Sequence, residues 1–106
     1  MGSMTFGKAI EALRGGCKVT RHAWDGMNKC VVLMPELKLP AHSAPLGVKK
    51  VNEFMAHMIG EDTPLESLPY LAEWVGNGQW QPGWLPSQAD ILADDWFIVR
   101  ELRSAS

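Results

Sequence analysis

The stretch Trp84-Leu85-Pro86-Ser87-Gln88-Ala89-Asp90-Ile91-Leu92-Ala93-Asp94-Asp95-Trp96-Phe97-Ile98-Val99 places a short capped helix just before an apolar strand. Ser87 is a favourable N-cap, and Asp90 stands where a carboxylate completes a capping box, so a helix is predicted over residues 87–93. Trp96 to Val99 reads as the last strand. A helix N-terminus presents unpaired N–H groups and partial positive charge, which suits an anion, and Trp84 just upstream offers a flat face for a base. Taken alone, the same residues suit an ordinary capped helix with two core tryptophans better than a ligand site.

Working back toward the N-terminus, Thr5 caps a helix with Phe6, Ile10 and Leu13 at helical spacing, ended by Gly15-Gly16. Cys17 to Arg21 alternates as a strand, Asp25-Gly26 signals a turn, and Lys29 to Met34 reads as the return strand of a hairpin. Prolines at 35, 40 and 45 predict an irregular loop. Val48, Val51, Phe54, Met55 and Met58 predict an amphipathic helix between Gly47 and Gly60, with the methionines as core filler. A second loop over Glu61 to Leu68 precedes a hairpin, Tyr70 to Val75 and Gln79 to Gln81, turning at Gly76-Asn77-Gly78. Helices and hairpins alternate without a βαβ rhythm, so the expected class is α+β: one small domain, an antiparallel sheet with two to three helices. Met1-Gly2-Ser3 reads as an expression scar, residues 4–103 as a single ligand-binding domain, and 104–106 as a frayed tail.

Composition narrows the function. A chain of 106 residues with 46% apolar content suits one globular core. There is no long apolar run and no basic-then-apolar leader, so neither a membrane span nor export is expected, and the expected location is cytoplasmic. A net charge of −2 argues against polymeric nucleic acid, which needs a basic face, but not against a small anion. Cys17 and Cys30 are expected as reduced thiols. Five tryptophans exceed what so small a core needs, so one or two are expected to face a cleft or a partner.

No His-Glu-x-x-His, Cys-x-x-Cys or phosphate-loop motif occurs, so no metal, cofactor or catalytic residue is assigned. Binding chemistry is better served. Trp24 and Trp84 offer stacking surfaces; Ser87, Gln88 and Asp90 offer polar contacts; Arg21, Lys29 and Arg100 are candidate phosphate partners.

Two blocks, Met4-Thr5-Phe6-Gly7-Lys8-Ala9-Ile10 continuing to Leu13, Gly16, Lys18-Val19, Arg21 and Trp24-Asp25-Gly26, and the ending Trp84 to Trp96, resemble a small phage-encoded family: the second type of Thoeris anti-defence protein. The resemblance implies a non-enzymatic sponge that binds glyco-cyclic ADP-ribose, the alarm signal of bacterial TIR-domain proteins. In some members it also implies sequestration of cyclic dinucleotides through a separate pocket. It further implies a homotetramer with pockets at subunit boundaries. The family's stacking aromatics map by motif onto Trp24 and Trp84, with Phe6 nearby, and Asp90 and its neighbours carry over with them. The candidate ligand-binding set is therefore Phe6, Arg21, Trp24, Asn28, Trp84, Ser87, Gln88 and Asp90. The segment from Pro35 to Leu68 is longer than the family's short pattern, and Asn77-Gly78 followed by Trp80 replaces a shorter polar stretch. A hydrolase of cyclic nucleotides and a protein-interaction module docking through its tryptophans remain the alternatives.

Overall fold

Thr5 opens the first helix, its hydroxyl accepting the Lys8 N–H at 3.3 Å, and α1 (Phe6–Arg14) follows. In the computed structural model, which describes residues 3–99, α1 ends at Gly15, and Gly16 takes the left-handed turn at φ 92° that a side chain would resist. The chain then runs through β1 (Val19–Arg21), a 3-10 turn (His22–Trp24), β2 (Cys30–Met34), β3 (Leu37–Leu39), α2 (Glu53–Ile59), β4 (Leu65–Ser67), β5 (Tyr70–Gly76), β6 (Gln79–Pro82), α3 (Gln88–Leu92) and β7 (Trp96–Ile98). This is the α+β class that the hairpin pattern predicts. Two compact units form, one from residues 3–34 with 70–99 and the other from Pro35–Pro69.

The larger unit carries a five-stranded antiparallel sheet in the order β6-β5-β2-β1-β7. Paired residues share a face and neighbours alternate, so the register sorts the side chains. Val19, Val31 and Trp96 lie on the face that α1 covers through Ala9 and Leu13. Thr20, Cys30, Trp74, Trp80 and Phe97 lie on the opposite face. Asn77 and Gly78, at φ 54° and 76°, make the two-residue hairpin turn that Asn-Gly favours, with a bulge between Trp74 and Gly76.

The core centres on Trp96, which is 0% exposed. Phe6 packs on it at 5.5 Å between ring centroids, Trp24 meets it edge-on at 5.2 Å, and Trp84 does so at 6.2 Å. Such edge-to-face pairs add roughly 0.5–1.5 kcal/mol beyond area burial. The Trp96 indole N–H donates to the Asp90 carbonyl at 2.9 Å, which satisfies its polar edge.

In the smaller unit the structure corrects two expectations. The proline-rich stretch is not wholly irregular: β3 pairs antiparallel with β4, Leu39 opposite Leu65. The helix is also shorter than the apolar period suggests. Asn52 caps it, its side chain accepting the Met55 N–H at 2.8 Å, so Val48 and Val51 precede the helix and the stripe is not continuous. Val51 and Ala56 are the buried positions, whereas Phe54 and Met58 are 75% and 70% exposed, so Met58 is not core filler. Among the described residues no helix is long and apolar enough to cross a membrane.

Replacing Trp96 with Phe keeps most of the volume but removes the indole donor and leaves the Asp90 carbonyl with only the long Ala93 N–H bond at 3.4 Å. The expected cost is about 1–3 kcal/mol, against about 3–5 kcal/mol for Trp96→Ala, read from urea unfolding. Equal stability of Trp96→Phe and wild type would show that the indole hydrogen bond contributes nothing.

Candidate functional site

The loop that leaves β1 passes through the 3-10 turn, then Gly26 at φ 84° and Asn28 at φ 52°, before entering β2. It overhangs the sheet face that α1 leaves uncovered. Beneath it lies an open cleft of about 260 Å³, walled by Thr20, Arg21, Trp24, Asn28, Lys29, Trp74 and Phe97 among others. His22 stacks on Phe97 with ring centroids 4.2 Å apart. The structure therefore brings together Arg21, Trp24 and Asn28 of the candidate set, and Lys29 with them.

The remaining candidates lie elsewhere. Phe6 packs on Trp96 from α1, and Trp84 is in the core, edge-on to Trp24 at 6.2 Å. Trp24 itself is only 7% exposed and Trp84 only 8%. Ser87 and Asp90 form the capping box legible in the sequence: the Ser87 N–H donates to Asp90 Oδ2 at 2.8 Å, and the Asp90 N–H donates to Ser87 Oγ at 3.1 Å. Those N–H donors serve the helix's own cap. Gln88 is exposed on α3 and takes no part in the cleft. Arg100 lies outside the described residues.

The two cleft cations are already committed. Arg21 Nε donates to Asp95 Oδ1 at 2.7 Å, and its Nη1 donates to Asp90 Oδ1 at 2.9 Å. Asp95 Oδ2 also accepts the Ala23 N–H at 3.0 Å, which ties the overhanging loop to the chain entering β7. Hydrogen bonding to Asp95 outweighs the burial of Arg21 and raises its pKa above the ordinary value. Burial opposes ionisation of Asp90, but the Ser87 hydrogen bonds and Arg21 overcome it and hold the carboxyl below its usual range. The Arg21 hydrogen bond does the same for Asp95, against a smaller burial effect. Lys29 Nζ sits 4.3 Å from the Trp24 ring centroid and 3.6 Å from Glu73 Oε2.

Sequence reasoning passed over Trp74, Trp80 and Phe97. Trp74 and Trp80 are cross-strand partners, 5.1 Å apart at 60°, and line a second cavity of about 230 Å³ with Asn28 and Cys30. They are the half-buried tryptophans that the count of five leads one to expect at a cleft. The Asn77-Gly78 turn carried the signal, because it fixes the register that sets the two indoles opposite each other. Among the described residues, no three His, Cys, Asp or Glu side chains gather as a metal site.

Fold and cleft together define a class: a small α+β domain with an aromatic cleft on the sheet face left open by its helix. Comparison with known proteins narrows this, since the Thoeris anti-defense 2-like domain matches residues 4–99. The chain is also 30% identical over 97 residues to "Thoeris anti-defense 2" of Bacillus phage SP01, covering 91% of this chain and 94% of that protein. The chain belongs to the Thoeris anti-defense 2-like family.

Replacing Arg21 with Met leaves buried Asp90 and half-buried Asp95 without their cation, holding only backbone N–H donors, at an expected cost of about 2–4 kcal/mol at pH 7. Both carboxyls titrate lower in the fold than unfolded. Their contribution is therefore fully present above the unfolded value of about 3.9 and is lost as pH falls through the depressed folded values. Wild-type stability should fall steeply below about pH 4, while Arg21→Met should be flat or gain stability there. Parallel pH profiles in urea melts would contradict the network.

Proposed function

We propose that this protein captures a cyclic nucleotide immune signal in the infected bacterial cytoplasm and holds it uncleaved. Glyco-cyclic ADP-ribose is the principal ligand and cyclic dinucleotides are a second class. The near full-length match to Thoeris anti-defense 2 carries this reading. The aromatic cleft supports it, because each base stacked on an aromatic side chain gains roughly 1–3 kcal/mol.

Affinity sets a further requirement. Sequestration near nanomolar concentration corresponds to about −12 kcal/mol. A cleft of about 260 Å³ that opens to solvent covers only part of a dinucleotide, whereas ligand pockets of roughly 300–1,000 Å³ enclose most of theirs. We therefore propose that copies of this chain close the cleft in a homotetramer. The exposed Phe54 and Met58, one helical turn apart on α2, support association, since a monomer gains nothing by presenting them to water.

Native mass spectrometry with a panel of cyclic nucleotides tests ligand and assembly together. A tetramer that gains the mass of glyco-cyclic ADP-ribose is expected. Heating the complex and chromatographing the supernatant should return the ligand intact. Fragments or a linear product would make the protein a hydrolase, and a monomer blind to every cyclic nucleotide would end the proposal.

A further inference from the structure

The chain leaves β2 at Met34 and re-enters the sheet at Tyr70, its paired residue on β5, so Pro35–Pro69 is an excursion between neighbouring strands. This smaller unit supplies none of the walls of the cleft. It nevertheless holds more than half of the large apolar side chains left exposed among the described residues. Two of them, Phe54 and Met58, are 75% and 70% exposed and stand on α2 at the i, i+4 spacing that puts them on one face. Ala56, the middle residue of α2, is buried on the opposite face, so the apolar pair is placed evenly about the centre of the helix.

The charges that flank α2 have the wrong sign for the helix itself. Carboxylates favour a helix N-terminus and cations a C-terminus. Glu53 follows that rule, but Lys49-Lys50 lies just before the Asn52 cap and Glu61-Asp62 follows the Gly60 that ends the helix. Lys50 donates to the Ala44 carbonyl at 2.7 Å, whereas Lys49, Glu61 and Asp62 are exposed and make no ion pair among the described residues. Flanking charges that add to a helix dipole are offset by a second helix running the other way. A two-fold axis over the outer face at position 56 brings Phe54 onto Met58 and the basic entry onto the acidic exit. The surface is its own complement, as an isologous contact requires.

We propose that α2 docks antiparallel on α2 of a second copy, with Phe54 against the partner's Met58 and Lys49 facing the partner's Glu61 and the partner's Asp62. The inference rests on the reading above that copies of the chain associate, and it gives α2 a contact separate from the one that closes the cleft. A tetramer built from dimers uses two kinds of two-fold contact. Two large side chains per copy fall well short of the roughly 800 Å² per partner that an independent interface buries. Pairs already joined elsewhere meet through α2 twice, so the second contact forms within one particle and a small area suffices. The rival occupant of this face is an unrelated protein.

Sedimentation equilibrium of the full chain at low salt, with calorimetry of glyco-cyclic ADP-ribose, tests the contact. Phe54→Glu combined with Met58→Glu changes only positions that already face water. It should halve the copy number of the wild-type assembly and leave the thermal midpoint and the ligand bound per copy in place. Lys49→Glu should weaken the association by roughly 2- to 5-fold. Adding Glu61→Lys and Asp62→Lys should restore it, because both halves of a self-complementary face are then exchanged; contact with an unrelated protein gives no such rescue. A double variant that keeps the wild-type copy number, or charge variants that do not differ, would show that α2 does not meet itself and leave the capture reading standing. Ligand loss in step with the halved copy number would put α2 at the cleft-closing contact and overturn its separate role. A monomeric wild type removes this contact altogether. A wild type that binds no cyclic nucleotide, yet loses half its copies in the double variant, sinks the capture reading alone.

Discussion

One guanidinium holds the working parts of this fold in place. Arg21 lies on β1 on the core side of the sheet, and its fork reaches Asp95 through Nε and Asp90 through Nη1. Each carboxylate serves a second purpose. Asp90 completes the cap of α3 and, through its carbonyl, accepts the Trp96 indole N–H. Asp95 receives the Ala23 amide and, through its own carbonyl, the His22 amide. Helix cap, core tryptophan and cleft loop are thus coupled through groups that meet only when β1 and β7 are paired. Charge-assisted bonds of this kind are roughly twice as strong as neutral ones, and with side chains 11–26% exposed water competes for them weakly. An apolar side chain at position 21 would have to leave both carboxylates partly desolvated, which is why removing one partner costs more than never having had the pair.

The tryptophans divide along the same line. Those on the helix side of the sheet close on one another and are consumed by packing: Trp24, Trp84 and Trp96 form one edge-to-face cluster with Phe6 at its margin. Trp74 and Trp80 lie on the face opposite α1, where they pack on each other and line the cavities. The alternation of a strand decides which is which, since a shift of one residue in β5 would exchange Trp74 for Glu73. A bulge breaks the register between Trp74 and Gly76, and a Cβ on Gly76 would lie 3.9 Å from the Asn28 amide of the cleft loop.

What the sequence showed follows from the range of the interactions. Ser87 and Asp90 are three residues apart, so their capping box is visible in the chain, as are the Thr5 cap and the Asn77-Gly78 turn. The partners of Arg21 lie 69 and 74 positions away, and nothing local marks Asp90 or Asp95 as its ligands. The same holds for β3 and β4, which are short, flanked by proline and paired across α2, so neither carries enough alternation to announce a strand. In α2 a local signal misled. Apolar spacing runs from Val48 through Met58, but the Asn52 cap begins the helix inside that run, and a cap is a stronger constraint than a period. Burial was the hardest property to read: motif likeness singles out Trp24 and Trp84, yet only the three-dimensional packing shows that both are enclosed.

The electrostatics of the cleft bear on whether a bound nucleotide is held or cleaved. Hydrolysis of a phosphate diester or anhydride builds negative charge in the transition state, and a catalyst lowers that barrier with positive charge aimed at the reacting oxygens and not already neutralised. Here Arg21 faces two carboxylates, and Lys29 is shared between Glu73 and the Trp24 ring. These cations shape the wall and contribute little field to a phosphate beyond it. Flat aromatic surface, in contrast, interacts with a base equally before and after any bond is broken. Interaction of that uniform kind tightens binding without accelerating a reaction. Under the sponge reading proposed above, a cleft walled by aromatic side chains whose cations are internally paired suits retention of a ligand better than its cleavage.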